Sequence, residues 1–443
     1  MKIALVGQEI PTLLPSLLAD LLFAQKTDAV VSFAEKNDAM RDLMQRYAEA
    51  VCSKAGRGRV EACRERREAL DQADAVIYAG EMMASSRFHM DQEALSGVEE
   101  GDEGLSDQAR TLGGIGGLMR TLRQGEQVFS LCDEMKACCP AALVITLGQP
   151  VARTVAMFRQ RGFRCWGLTN GWRKGPGGLE WLCRKLRIAP EKAAFRAAGL
   201  PSFCFLTEMR DARSGKDLLP AVRAMAEDGA LGRMAQRWNR TLDAVPVGSI
   251  PAHAELMASQ EDFRPDEEPA LTESVERRKE RILRMNTVAE RGLEDREAQA
   301  SQLLLLARAP AARPVALAVA LLEGKDLKME AVVRVNEGRT IVNLPSAAVI
   351  EAPLSLSGGE DRTAEITLPA PLAELCMDID EAGRLAAKAA EGDRSALRES
   401  IETDPALGGL DRLYVLEVVD RMIAMHADIL TRWEDRESGE DED

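Results

Sequence analysis

Lys2-Ile3-Ala4-Leu5-Val6-Gly7 decides the fold. The run is apolar, short enough for a buried strand, and closed by turn chemistry. Apolar residues at helical spacing follow from Leu13 to Phe23, with Pro15 tolerable in a first turn. Strand, turn and helix recur: Ala29 to Phe33 reads as a second strand, Ala39 to Val51 as a second helix, and Asp74-Ala75-Val76-Ile77-Tyr78-Ala79 as a third strand. Strands alternating with helices build a parallel sheet, and the right-handed crossover makes the start Rossmann-like. Ala141 to Thr146 is another strand, ending in Gly148-Gln149-Pro150, and Arg164 to Leu168 leads into Thr169-Asn170-Gly171. Ligands of open α/β sheets bind outside such carboxyl ends.

The expected class is therefore α/β, with a Rossmann-like parallel-sheet domain over residues 1–173. A mixed α/β domain for substrate and oligomerisation is expected over residues 174–435, and an acidic, disordered tail over residues 436–443. Within the second part, Thr272 to Gln299 is dense in Glu and Arg and reads as a solvated helix held by i,i+4 pairs. Ala331 to Pro345 and Val349 to Leu356 alternate like strands. Leu372 to His426 reads as helical, with a break at Gly392-Asp393. Gly97 to Gly104, followed by Gly113-Gly114-Ile115-Gly116-Gly117, reads as a flexible loop feeding a helix or as a ligand lid.

Composition narrows the function. A chain of 443 residues, 46% hydrophobic, buries substantial cores. Its net charge of −15 argues against nucleic acid and anionic membranes as partners and leaves small molecules and proteins. Without a long apolar run or a signal-like start, the expected location is the cytoplasm. Nine cysteines without paired spacing fit buried thiols in a reducing compartment, and the three histidines, His89, His253 and His426, stand too far apart in sequence for a histidine-rich metal site.

Several segments, in order along the chain, resemble glycoside hydrolase family 4, the NAD- and metal-dependent glycosidases. They are Lys2-Ile3 to Gly7, the Asp74 to Ile77 strand, Gly113 to Gly117 with Arg120, Gln149-Pro150-Val151 and Gly167-Leu168-Thr169-Asn170-Gly171. Ala198-Gly199-Leu200, Asn336-Glu337-Gly338, Ile341 to Pro345, Glu391-Gly392-Asp393-Arg394 and Asp404-Pro405 follow. The resemblance implies a redox-elimination reaction: NAD oxidises the sugar at C3, a tyrosine takes the acidified C2 proton, a divalent metal such as Mn steadies the enolate, and the C1 substituent leaves. It also implies a sugar or sugar phosphate as ligand, with Arg120, Asn170 and Asn343 facing it and Asn170 the catalytic candidate. Gly7, Glu35 and Gln149 fall at cofactor positions, and a homo-oligomer is implied.

The chain departs from the family's pattern at each chemical step. The family's metal-binding Cys and His are Thr169 and Ser202 here, both neutral hydroxyls. The first turn is Gly7-Gln8-Glu9-Ile10-Pro11, with an acid where pyrophosphate rests. Ala34 stands at the expected place of the ribose-binding acid, with Glu35 adjacent, and Gln149 replaces an asparagine. The tyrosines are Tyr47, Tyr78 and Tyr414, none in the region that supplies the base; His253 or a glutamate is the substitute to consider. The expectation is a family-like protein that holds neither NAD nor Mn tightly and has lost the reaction. Alternatives are a sugar- or sugar-phosphate-binding regulatory protein, an active glycosidase with non-standard ligands, and cofactor-free hydrolysis by carboxylates.

Overall fold

In the computed structural model, the described residues are 1–80, 84–96, 105, 107–169, 177–248, 250–257, 274–307 and 312–433. Asn170, the Gly97 to Gly104 stretch and the acidic tail lie outside them. Six strands run parallel: β1 (Lys2–Val6), β2 (Val30–Ala34), β3 (Arg59–Cys63), β4 (Ala75–Tyr78), β5 (Leu143–Thr146) and β6 (Cys165–Gly167). Their order is β3-β2-β1-β4-β5-β6, so the direction of winding reverses between β1 and β4, where an open α/β sheet opens its crevice. The sheet continues antiparallel through β10 (Leu327–Val335), β11 (Val349–Ser357), β7 (Ala193–Leu200), β8 (Phe203–Asp211) and β9 (Pro246–Val247), with β12 (Glu360–Asp361) paired to β11.

One row of paired residues crosses this sheet: Val6, Tyr78, Thr146, Gly167, Val333, Glu351, Gly199, Cys204 and Val247. The row follows the carboxyl ends of the parallel strands and places Glu351, on β11, level with them. Apolar β4 and β5 are buried along their whole length, as a sheet covered on both faces requires.

Both covers draw on distant chain. On one face Leu14, Leu18, Met44 and Tyr47 pack in a core with Val288, Leu317 and Val319. On the other, Met119 and Phe129 of the Gly114–Cys138 helix share a core with Ala386, Leu397, Val419 and Met422. Among the described residues, no helix is long and apolar enough to cross a membrane.

Four details differ from the sequence reading. β3 (Arg-Val-Glu-Ala-Cys) is an edge strand whose side chains are half-buried or exposed, so it carries no apolar signature. The β7–β8 hairpin, with its alanines and mixed polarity, is an additional element. Residues 272–299 do not form one helix; Val275–Arg291 and Arg296–Ala307 part at Gly292, whose φ is +69°. Strand alternation from Ala331 stops at Val335, because the buried Asn336 amide donates to the carbonyls of Ile341 (2.8 Å) and Leu344 (3.2 Å) and accepts from the Ile341 amide (3.1 Å), folding 336–345 into a compact turn. The break at 392–393 is present, with Asp393 capping the Arg394–Thr403 helix through the Ala396 amide.

Candidate functional site

Thr169 follows β6 and Ser202 occupies the two-residue turn between β7 and β8, and the sheet register brings both to Glu351. The Thr169 hydroxyl bonds to Glu351 Oε1, and the Ser202 amide donates to Oε2 at 3.0 Å. Ser202 reaches this geometry at φ +65°, the left-handed region. Cys204 lies beneath, its Sγ 3.6 Å from Oε2 and 3.2 Å from the Leu200 carbonyl oxygen. Glu351 is fully buried. Burial pushes its carboxyl above the usual carboxylate range, against the opposing pull of the bonds from Thr169, the Ser202 amide and Cys204. The two positions expected to hold a metal are thus bridged by a buried carboxyl whose pKa is raised. Glu351 was missed in the sequence, although a lone charge inside Val349-Ile350-Glu351-Ala352 is the sort of break in an apolar strand that marks a site.

Beside this cluster is a cavity of about 40 Å³ whose lining includes Gln149, Arg153, Ser202, Asp380, Arg384 and Asp404. That is room for water and well below the roughly 300 Å³ at which small-molecule pockets begin. Arg153 is buried and donates to the Thr121 hydroxyl at 2.8 Å; Asp380 accepts from Arg384 and from the Val349 amide, both at 2.8 Å. Gln149 and Ser202 share this cavity. Half-buried Arg120, on the Gly114–Cys138 helix, is not part of its lining and reaches the Thr111 carbonyl. Asn343 bonds reciprocally with the Leu368 backbone, at 2.9 and 3.1 Å. His253 is enclosed by Phe203, Phe205 and Trp238 with Nε2 donating to the Cys204 carbonyl at 2.9 Å, the position of a packing residue. Gly113 to Gly117 form a buried helix start rather than a lid; a Cβ on Gly116 would lie 2.4 Å from the Arg110 carbonyl oxygen. The thiols are free, and burial pushes Cys132 up to about 12 and Cys139 up to about 11.

The second opening lies across the switch point, a cleft of about 560 Å³ at the carboxyl ends of β1 to β4. Gly7, at φ +121°, has a structural reason to be glycine: a Cβ there would lie 2.1 Å from the Ala79 carbonyl oxygen. Glu9 donates its amide to Ala79 at 3.0 Å, which removes one of the helix N-terminal donors a pyrophosphate uses. Its side chain leans over Gly80, spanning from the β1 turn to the β4 turn. Glu35 accepts the Asn37 amide at 2.8 Å and does not line the cleft. Lys36, Arg64, Arg66 and Arg67 do, with Leu5, Val6, Ala34 and Tyr78. The ring of Tyr78 is buried at the end of β4, its hydroxyl accepting from Gln124 at 2.9 Å.

Residues 26–171 match Family 4 glycosyl hydrolase, and residues 197–407 match the Family 4 glycosyl hydrolase C-terminal domain. An alpha-glucosidase of Erwinia rhapontici is 28% identical over 116 residues, 26% of this chain and 25% of that protein, so the chain matches about a quarter of that relative's length. Among solved structures, a 6-phospho-alpha-glucosidase from gut microorganisms, in complex with NAD and Mn2+, superposes at a TM-score of 0.68 and 18% identity over 97% of this chain and 98% of its own. The Thermotoga maritima 6-phospho-beta glucosidase with manganese, NAD+ and glucose-6-phosphate gives 0.64 and 14% over 97% and 99%. At these identities the likeness bears on the fold.

Proposed function

The chain belongs to family 4 of the glycosyl hydrolases, and from that premise we propose that it is a member in which binding of a small sugar or phosphorylated ligand has replaced metal-dependent hydrolysis. The observation that carries this reading is Glu351 between Thr169 and Ser202. Manganese is held by anionic oxygen or by imidazole and carboxylate together. The donors present are two neutral hydroxyls, a single buried carboxyl already bonded to Thr169 and to the Ser202 amide, and a thiol bonded to the Leu200 carbonyl. They do not fit the ion. Among the described residues, no group of three His, Cys, Asp or Glu side chains stands ready to hold one elsewhere. NAD fits no better, since Glu9 uses its amide on Ala79 and Glu35 is turned to Asn37.

Among the described residues, three candidate proton acceptors are engaged in structural contacts. Tyr47 is buried and bonded to Gln302 at 2.7 Å, Tyr78 is engaged with Gln124, and His253 is enclosed by aromatic rings. Arg120 and Asn170 are proposed to contact the ligand. The test is a panel of aryl α- and β-glycosides and their 6-phosphates with NAD and Mn, following solvent-deuterium exchange at C2. The expected result is neither turnover nor exchange, with a sugar phosphate raising the melting temperature unconsumed. Turnover that requires NAD or Mn overturns the reading.

A further inference from the structure

The cavity beside Glu351, at about 40 Å³, is too small for a sugar, and its lining shows which wall can yield. Gln149, Arg153, Ser202, Asp380, Arg384 and Asp404 make up its polar part, while Leu112, Leu200, Leu256 and Ile379 are apolar. Arg153 and Asp404 are buried, 6% and 7% exposed. Arg153 donates to the Thr121 hydroxyl and Asp404 accepts the Ala406 amide, each at 2.8 Å. Burial holds the Arg153 guanidinium below its usual pKa with the Asp404 charge pulling the other way, yet the two form no direct ion pair. Enclosed charges with so few partners gain free energy from contact with water, which favours an open form of this cavity.

Most of the lining is anchored in the fold. Arg153 stands on the Val151–Gln160 helix, Asp380 and Arg384 on the Ala370–Ala389 helix, Leu200 on β7 and Val349 on β11. Leu112 and Leu256 are placed differently: one precedes the Gly114–Cys138 helix, and the other follows the six-residue Ile250–Glu255 helix. Two side chains clasp their segments together. Glu255 Oε2 accepts from the Thr111 amide, the Thr111 hydroxyl and the Leu112 amide, all at 2.8 Å. Arg110 donates in return to the carbonyls of Glu255 at 3.1 Å, Ala254 at 3.4 Å and Met257. Gly113 permits the approach, since a Cβ there would lie 2.3 Å from the Glu255 carbonyl oxygen.

We propose that the clasp made by Arg110 and Glu255 is the gate of this crevice. Closed, it holds Leu112 and Leu256 against the polar lining and leaves room for water; released, it lets residues 252–257 withdraw and admits a ligand. The inference rests on the reading of the chain as a binding protein and adds how the ligand enters. Hydrogen bonds to charged groups are stronger than neutral ones, and because they converge here on two side chains, the closed form depends on each of them.

Hydrogen exchange of the full chain, read by mass spectrometry of overlapping peptides, tests the gate with Glu255→Ala and Gly113→Ala. The first variant removes the acceptor of the clasp; the second presses a methyl group on the Glu255 carbonyl and leaves both charged side chains in place. The first-turn amides of the Val151–Gln160 helix have no intrahelical acceptor, and Val151, Ala152 and Arg153 line the cavity, so their exchange reports the entry of solvent. In both variants these amides, with those of residues 111–112 and 254–257, exchange at least about tenfold faster, while β5 and the rest of the helix keep the parent's rates. Glucose 6-phosphate associates faster with both variants than with the parent chain. Exchange unchanged in both variants, acceleration that spreads to β5 in both, or glucose 6-phosphate that binds the parent and the opened variants at one rate overturns the proposal. Faster local exchange in chains that bind neither glucose nor glucose 6-phosphate, with or without the substitutions, would instead remove the binding reading and leave the gate standing.

Discussion

Glu351 is a carboxyl whose surroundings favour its proton. A group whose pKa is raised by folding keeps that proton over a pH range in which the unfolded chain has released it, so stability is level below the ordinary carboxylate range and falls as pH climbs through the folded value. Glu351→Gln keeps the shape and the partners: the amide nitrogen donates to Thr169 and the amide oxygen accepts from Ser202. The melting-temperature gap between this variant and the parent chain therefore moves in favour of the variant as pH rises above the ordinary carboxylate range. A gap that stays constant would show an ionised carboxylate throughout. Glu351→Ala leaves the half-buried Ser202 amide without its acceptor and costs about 1–2 kcal/mol in urea unfolding. Ser202→Gly, in contrast, relieves the left-handed backbone and adds chain entropy on unfolding, two effects of about 1 kcal/mol that offset. A loss above about 2 kcal/mol would mean that the hydroxyl has a role beyond the turn. Short motifs single out Thr169 and Ser202 in the sequence. Their bridge was not legible there, since Glu351 lies 149 residues from Ser202 and only the pairing of β7 with β11 brings them together.

Elements with local signals were the readable ones. β1, β4 and β5 are apolar runs bounded by turns, and the helix at Asp38–Ala55 begins at Asn37 and ends at Gly56, so propensity, capping and burial agree. What joins the elements was not readable. The Ala84–Ser96 and Gly114–Cys138 helices meet the end of the Arg412–Met425 helix through Asp91, Arg123 and His426. Arg123 donates to both Asp91 oxygens, at 3.1 and 2.8 Å, and His426 Nε2 stands 2.7 Å from Oδ1. All three side chains are buried, and the sequence separations are 32 and 335 residues, beyond any motif. Removing one partner of a buried pair leaves the other charge uncompensated, so Asp91→Asn is expected to cost about 3–5 kcal/mol. Urea denaturation measures it, and a cost under about 1 kcal/mol would show that water reaches Arg123. Closer still, a Cβ on Gly125 would lie 2.5 Å from that of Ala390, so Gly125→Ala forces the Gly114–Cys138 helix off the chain end of the Ala370–Ala389 helix.

At the scale of the molecule, the parallel sheet depends on chain that arrives hundreds of residues later. Tyr47 bonds to Gln302 at 2.7 Å, Lys54 pairs with Glu294 at 2.6 Å, and Asp20 with Arg313 at 2.8 Å, all on the face covered by the Val275–Arg291 and Arg296–Ala307 helices and the Pro314–Glu323 helix. On the opposite face, Met119 and Phe129 meet Leu397, Val419 and Met422. Residues 1–173 alone therefore keep their hydrogen-bonded strands and lose apolar cover on both sides. A parallel sheet tolerates this poorly, because its strands are apolar on both faces. Each large side chain uncovered forfeits about 1.5–3 kcal/mol of transfer free energy, and a domain's whole margin is about 5–15 kcal/mol, so loss of several such contacts exceeds it. The expected outcome for the 1–173 fragment is a broad thermal transition with strong binding of a hydrophobic dye, and recovery of a sharp transition when residues 174–443 are supplied as a second chain. A fragment that melts sharply without dye binding would show that the later helices cover a sheet already stable, and that the two halves fold as separate units.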